Sequence, residues 1–238
     1  MEPYIFHGLV LPDHVKLSVW DYFEFTHPSS GAVGRAKMSI VDNKIEVSVE
    51  SDHPWKIYDL RNVAKYIVQS HLAMYSYLTG NVHEFSLTRV VSPSRGIDHL
   101  FEIDIPCIAE LRKSVDVQEG MRKIKEKYAT PGSMLLNRCF KDLASALNDA
   151  DDTAFYCYRA IESLRLHCGV VHGIPETNKK AQWAKFHELA GCSEASVRVL
   201  EEAATPLRHG GVTGITDEEG ALLYVNTWAI VDGYLKCV

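Results

Sequence analysis

Four polar side chains in the C-terminal half have the types and spacing to act on a phosphodiester: Arg159 with Glu162, and Arg208 with His209. Arg159 and Glu162 stand three apart in a run of helical periodicity, one turn from each other and about 180° from the apolar stripe through Ile161. By themselves they form a solvated i,i+3 ion pair worth a few tenths of a kcal/mol. They become chemistry when a group from another helix converges on them. The run Arg208-His209-Gly210-Gly211 can supply that group, because an imidazole titrating near neutrality beside a guanidinium suits general acid–base work on a phosphodiester. The same four residues also read as a helix C-cap, with cations at the negative end of the dipole and glycine in the left-handed turn.

A second constellation has zinc-ligand spacing: Cys168 and His172, then His187 and Cys192 about fifteen residues on. Against it, Cys168 belongs to an apolar stripe, His187 falls within a helix, and a bundle of this size folds without metal. There is no G-x-S-x-G elbow, no Walker loop and no H-E-x-x-H, so the hydrolase, nucleotidase and metalloprotease readings have no support. No metal and no cofactor are expected.

The elements that must position these residues are helical. Leu136, Phe140, Leu143 and Leu147 mark one helix, and Asp151-Asp152 offers an N-cap to the next, whose apolar stripe is Ala154, Cys157, Ile161, Leu164 and Cys168. A third helix spans Asn178 to Ala190, and a fourth starts at Ser193 with Val197, Leu200, Ala204 and Leu207 inward. Pro206 should distort its last turn. The last helix opens on a capping box, Thr216 with Glu219, and carries the stripe Ala221, Tyr224, Val225, Trp228, Val231 and Leu235. The expected result is a bundle of four to five helices over residues 131–238, beyond a hinge at Pro131-Gly132.

Residues 1–130 read differently, as a β-rich α+β domain. Val15, Leu17 and Val19 alternate with polar neighbours, and Ala36 to Val41 followed by Ile45 to Val49 form a hairpin through an Asp42-Asn43 turn. The loop Thr26 to Gly34 is glycine-rich, but a strand follows it where a phosphate cradle needs a helix. From Asp59 the period becomes helical for about 20 residues, through Leu60, Val63, Ala64, Ile67, His71, Met74, Tyr75 and Leu78 to a stop at Gly80. His71 on that apolar side reads as a core histidine bonded to a neighbour. Phe85 and Leu87, then Phe101, Ile103 and Ile105, are short strand signals around a turn at Ser92 to Gly96. The fold class is α+β: a β-rich part with one long helix, followed by an all-α bundle.

Composition bounds the function. The chain has 238 residues, 46% of them hydrophobic, and 31 acidic against 25 basic side chains give a net charge of −6. A folded globular protein fits this profile, and binding to nucleic acid would need a local basic patch. The one basic cluster runs from Arg112 to Lys127, with Lys113, Arg122, Lys123 and Lys125 between them; it is either a solvated helix face or the place where RNA phosphates would dock. No basic-then-apolar leader and no apolar run of about 18 residues occurs, so a cytoplasmic, non-membrane protein is expected. The six cysteines contain no C-x-x-C and read as reduced thiols.

The run from Ala146 through Asp151-Asp152 and Tyr156-Cys157-Tyr158-Arg159-Ala160-Ile161-Glu162 to Leu164, followed by Leu207-Arg208-His209-Gly210 and the capped last helix, resembles a HEPN-type bundle over about residues 130–238. With a strand-rich segment ahead of it, the layout is similar to ApeA-like HEPN proteins and to methylamine-utilisation accessory proteins of the J type. The resemblance implies a dimer. It also implies either a metal-independent endoribonuclease, with an arginine four to six residues before a histidine near the end of the penultimate helix, or an inactive relative that serves binding. If His209-Gly210 matches the histidine, the arginine should fall at Glu202, Ala203 or Ala204, where it is missing. If Arg208 matches, the histidine should fall at Thr213, Gly214 or Ile215. Arg165 and His172 keep the spacing, but after a different helix.

The expected function is therefore a HEPN-like accessory or interaction protein with a degenerate motif. Its groove around Arg159, Glu162, Arg208 and His209 would bind RNA, a nucleotide phosphate or a protein partner. The alternative is an active endoribonuclease of the stress or phage-defence kind, with His209 as acid–base and Arg208 or Arg159 holding the scissile phosphate. A two-fold homodimer through the C-terminal domain is expected to cover Leu207 and Trp228 and to bring His209 near the interface.

Overall fold

Alternating apolar and polar residues build the first half into β1 (Tyr4–Leu11), β2 (Val19–Thr26), β3 (Val33–Val41), β4 (Lys44–Glu50), β5 (Glu84–Ser92) and β6 (Ile97–Leu100), with helix α1 (Ile57–Thr79) between β4 and β5. The computed structural model describes residues 3–12, 17–27, 30–101, 105–211 and 216–238. The strands form one antiparallel sheet in the order β2-β3-β4-β1-β5-β6. The expected hairpin is β3–β4, with Ile40 opposite Ile45. Asp42 and Asn43 take positive φ of 48° and 65° in its turn, the combination a two-residue hairpin loop needs to match strand twist. Asn43 also accepts a hydrogen bond from the Leu17 backbone N–H at 3.0 Å.

Leu60, Ala64, Ile67, Val68 and Leu72 of α1 are buried in one core with Phe6, Met38, Ile40, Val47 and Leu87 of the sheet. Gly80 ends the helix at φ 71°. His71 is the core histidine expected: its Nε2 lies 3.0 Å from Asp21 Oδ2, and its ring meets Phe23 edge-on. The apolar stripe of α1 is covered only as far as Leu72 and Tyr75, since Met74 and Leu78 are 53% and 78% exposed. Phe101 lies just beyond β6, and Ile105 caps the next helix in place of extending a strand. Val15, Pro28, Ser29 and Ile103 fall outside the described residues.

The second half is all helical: α2 (Pro106–Arg112), α3 (Val117–Lys127), α4 (Ser133–Asn148), α5 (Thr153–Val171), α6 (Lys179–Ala190), α7 (Glu194–Arg208) and α8 (Asp217–Cys237). The chain divides into compact units Met1–Ile103 and Asp104–Val238, so the second begins well before the boundary expected near residue 130. The reason is packing. Ile108 of α2 enters the helical core, and Arg112 donates to Asp232 of α8 at 2.9 Å.

α5 is the axis of this unit. It packs against α4, α6, α7 and α8, so polar and apolar residues alike are buried around its circumference, Thr153, Ser163, Arg165 and His167 among them. What stays partly open is the stripe through Phe155, Tyr156, Arg159, Glu162 and Leu166. Asp152 occupies its N-cap position without a side-chain cap bond. α8 crosses α6 so closely that a Cβ on Gly233 would lie 2.1 Å from the Ala190 carbonyl oxygen. Leu223, Thr227, Ile230, Val231 and Tyr234 are buried on α8, whereas Val225, placed in the expected stripe, is 37% exposed. Both ends flanking the candidate site behave as their sequences dictate. The Thr216–Glu219 capping box forms at the start of α8. Pro206 sits in the last turn of α7, where His209 and Gly210 donate three residues back, to the carbonyls of Pro206 and Leu207, both at 3.1 Å.

Candidate functional site

Tyr158 is the residue around which the α5–α7 side of the bundle is organised. It is 4% exposed, and the Arg208 guanidinium from the end of α7 lies 5.5 Å from its ring centroid, within cation–π range. Glu162, one turn further along α5, and Glu201 of α7 stand close enough that their charges add to burial in pushing the Tyr158 phenol far above its ordinary value. His209 is the exposed C-cap of α7, next to Arg208. The structure thus brings Glu162 and Arg208 to one site, with His209 at its edge. That site also contains two residues the sequence reading passed over, Tyr158 and Glu201. The spacing held a signal, for Tyr158 and Glu162 are an i,i+4 pair and share a helix face.

Arg159 goes elsewhere. Its Nη2 donates to Oδ1 of Asp142 on α4, and its guanidinium lies 4.9 Å and 5.0 Å from the rings of Phe155 and Tyr156. The hydrogen bond to Asp142 holds the guanidinium pKa above its ordinary value. This corrects the expected Arg159–Glu162 pair, and energetics give the reason. Asp142 is 2% exposed, and an unpaired buried carboxylate costs several kcal/mol against the few tenths available from a surface pair. Asp142 was legible as an acid on the buried face of α4, three residues after Cys139 and four before Ala146.

Residues 4–101 match the model described as the N-terminal domain of a domain of unknown function, DUF8168, and residues 121–238 match the model of its C-terminal domain. Both DUF8168 domains are matched, in order, along this one chain. No curated protein and no solved structure matches. The sheet and α1 fall within the N-terminal DUF8168 match, and every candidate site residue falls within the C-terminal one.

The remaining constellations dissolve on folding. Arg165 is buried, with Nη1 donating to Gln182 Oε1 and its guanidinium 5.3 Å from the Trp183 ring, while His172 is the exposed C-cap of α5; their motif-like spacing does not make a site. Of the zinc-spaced residues, His187 Nδ1 and Cys192 Sγ meet at 3.4 Å, and Cys168 lies in the hydrophobic core. Among the described residues no group of three metal-capable side chains converges. The basic stretch is largely matched by acids. Arg122 pairs with Glu119 and Glu126 at 2.6 and 2.5 Å, Lys123 with Glu119 at 3.3 Å, and Arg112 with Asp232. Among the described residues no helix is long and apolar enough to cross a membrane.

Proposed function

We propose that this protein is a cytoplasmic HEPN-like accessory module whose α5–α7 site binds a partner and performs no cleavage. One observation carries the reading: Arg208 lies over Tyr158 with Glu162 and Glu201 beside it, while Arg159 is drawn to Asp142 of α4. Phosphodiester cleavage needs cationic donors aimed at one developing charge. Here the two guanidiniums have different neighbours, and the one nearest His209 shares the Tyr158 phenol with two carboxylates. Two acids and an exposed histidine beside a buried aromatic suit a cationic segment of a protein partner better than an RNA backbone.

The experiment is incubation of the purified chain with total RNA in EDTA, beside His209→Ala. Intact RNA with both proteins is the expected result. Cleavage by the native chain that His209→Ala abolishes would overturn the proposal in favour of a metal-independent endoribonuclease.

The module is further proposed to act as a two-fold homodimer through α7 and α8. Leu207 and Trp228, the residues expected to need such cover, already pack against the bundle core. Support comes instead from Val199 on α7 and Leu222 and Val225 on α8, exposed by 55%, 69% and 37%. The two helices meet where Asn226 Nδ2 donates to the Ser196 carbonyl at 2.8 Å, and these exposed apolar residues are the ones a second copy would cover.

A further inference from the structure

The sheet face that α1 does not cover carries a built arrangement of side chains unrelated to the α5–α7 site. Trp20 and Tyr22, two residues apart on β2, share that face and are 75% and 51% exposed. Register continues each of them across the sheet. Trp20 stands opposite Ser39, which stands opposite Glu46; Tyr22 stands opposite Lys37, which stands opposite Ser48. Cross-strand neighbours on one face lie about 5 Å apart and i,i+2 neighbours about 7 Å apart. The six side chains therefore tile a patch of roughly 10 by 7 Å, and they line a shallow groove of about 440 Å³.

The chemistry of the tiles narrows the occupant. An indole three-quarters exposed is an apolar ring face left in water, and a ligand that stacks on it releases that water. Around it, Lys37 offers donors, Glu46 acceptors, and Ser39 and Ser48 either. The opposite charges of Lys37 and Glu46 cancel, Asp21 also lines the groove, and Arg35, hydrogen-bonded to Tyr22, has Glu24 and Glu50 near it, so the groove has no positive excess with which to hold a phosphate backbone. Edge strand β2 is blunted against another strand at Tyr22, whose N–H donates to Asp21 Oδ1 at 2.7 Å, and a carboxylate so placed repels a pairing backbone. The tile pattern suits a ring with an apolar C–H face and a rim of hydroxyls that both donate and accept.

We propose that this face binds a neutral saccharide, its ring stacked on Trp20 and its hydroxyls held by Ser39, Lys37, Glu46 and Ser48. The test is isothermal titration of the full chain with cellohexaose, chitohexaose and maltohexaose, beside a uridine hexanucleotide. Saturable binding of at least one sugar is expected, weakened about tenfold or more by Trp20→Ala, the loss of one stacked aromatic contact, and about threefold by Glu46→Gln. Because the indole is exposed, Trp20→Ala should keep the native circular dichroism and melting temperature, which separates lost binding from lost folding. Failure of all three sugars to bind, or binding indifferent to Trp20→Ala, would overturn the proposal. So would binding of the hexanucleotide alone with the same dependence on Trp20.

Discussion

Replacing Arg159 with methionine separates the structural role of this arginine from a catalytic one. Side-chain exposure is 3% for Asp142 and 32% for Arg159, and Asp142 Oδ2 is buried without a hydrogen-bond partner. The bond to Arg159 is thus the main compensation for burying that carboxylate. Breaking a buried pair from one side costs about 3–5 kcal/mol, and the partly solvated guanidinium argues for the lower end, about 3 kcal/mol. Contacts with Phe155 and Tyr156 add about 0.5 kcal/mol each at such exposure, part of which the methionine thioether retains. For a unit of this size the melting temperature should fall by roughly 10 °C. Urea unfolding followed by far-UV circular dichroism should show a lower midpoint at an unchanged slope. Changing Asp142→Leu as well removes the stranded charge, and the double variant should return to within about 1 kcal/mol of the native chain. A single variant that loses less than about 1 kcal/mol, or a double variant no more stable than the single, would refute this account and reopen Arg159 as a phosphate ligand.

Two further outcomes are expected. Light scattering should give a dimer for the native chain and the 26.7 kDa mass of one chain for the double variant Leu222→Glu, Val225→Glu; a native chain at monomer mass would refute the dimer. His167 is 1% exposed, with Nδ1 2.7 Å from the Tyr234 hydroxyl; burial, reinforced by His172 and Lys127, lowers its pKa below the ordinary 6.5. As pH falls through 6.5 the unfolded chain takes up this proton before the folded one, so stability of the helical unit should be full above that pH and decline below it until the folded pKa is reached. Urea midpoints measured across this range should show that decline, and His167→Gln should flatten it; an unchanged pH slope in the variant would refute the assignment.

Local chemistry was readable along the chain. The Asp42-Asn43 turn, the Gly80 stop, the Thr216–Glu219 capping box and the Pro206 distortion each depend on a few adjacent residues, and each stands where the sequence places it. Alternation over Ala36 to Val49 and helical period over the second half determined the α+β class in the same way, because a buried face imposes its own spacing. The partners of polar side chains were another matter. Arg159 pairs with a residue 17 positions away and Arg112 with one 120 away, and the second of these contacts helps draw α2 into the helical unit. Periodicity names the face a side chain stands on, not the partner it takes. α5 packs against four other helices, so which way Arg159, Arg165 and His167 turn was decided by the carboxylate, amide and phenol that those neighbours bring up to them.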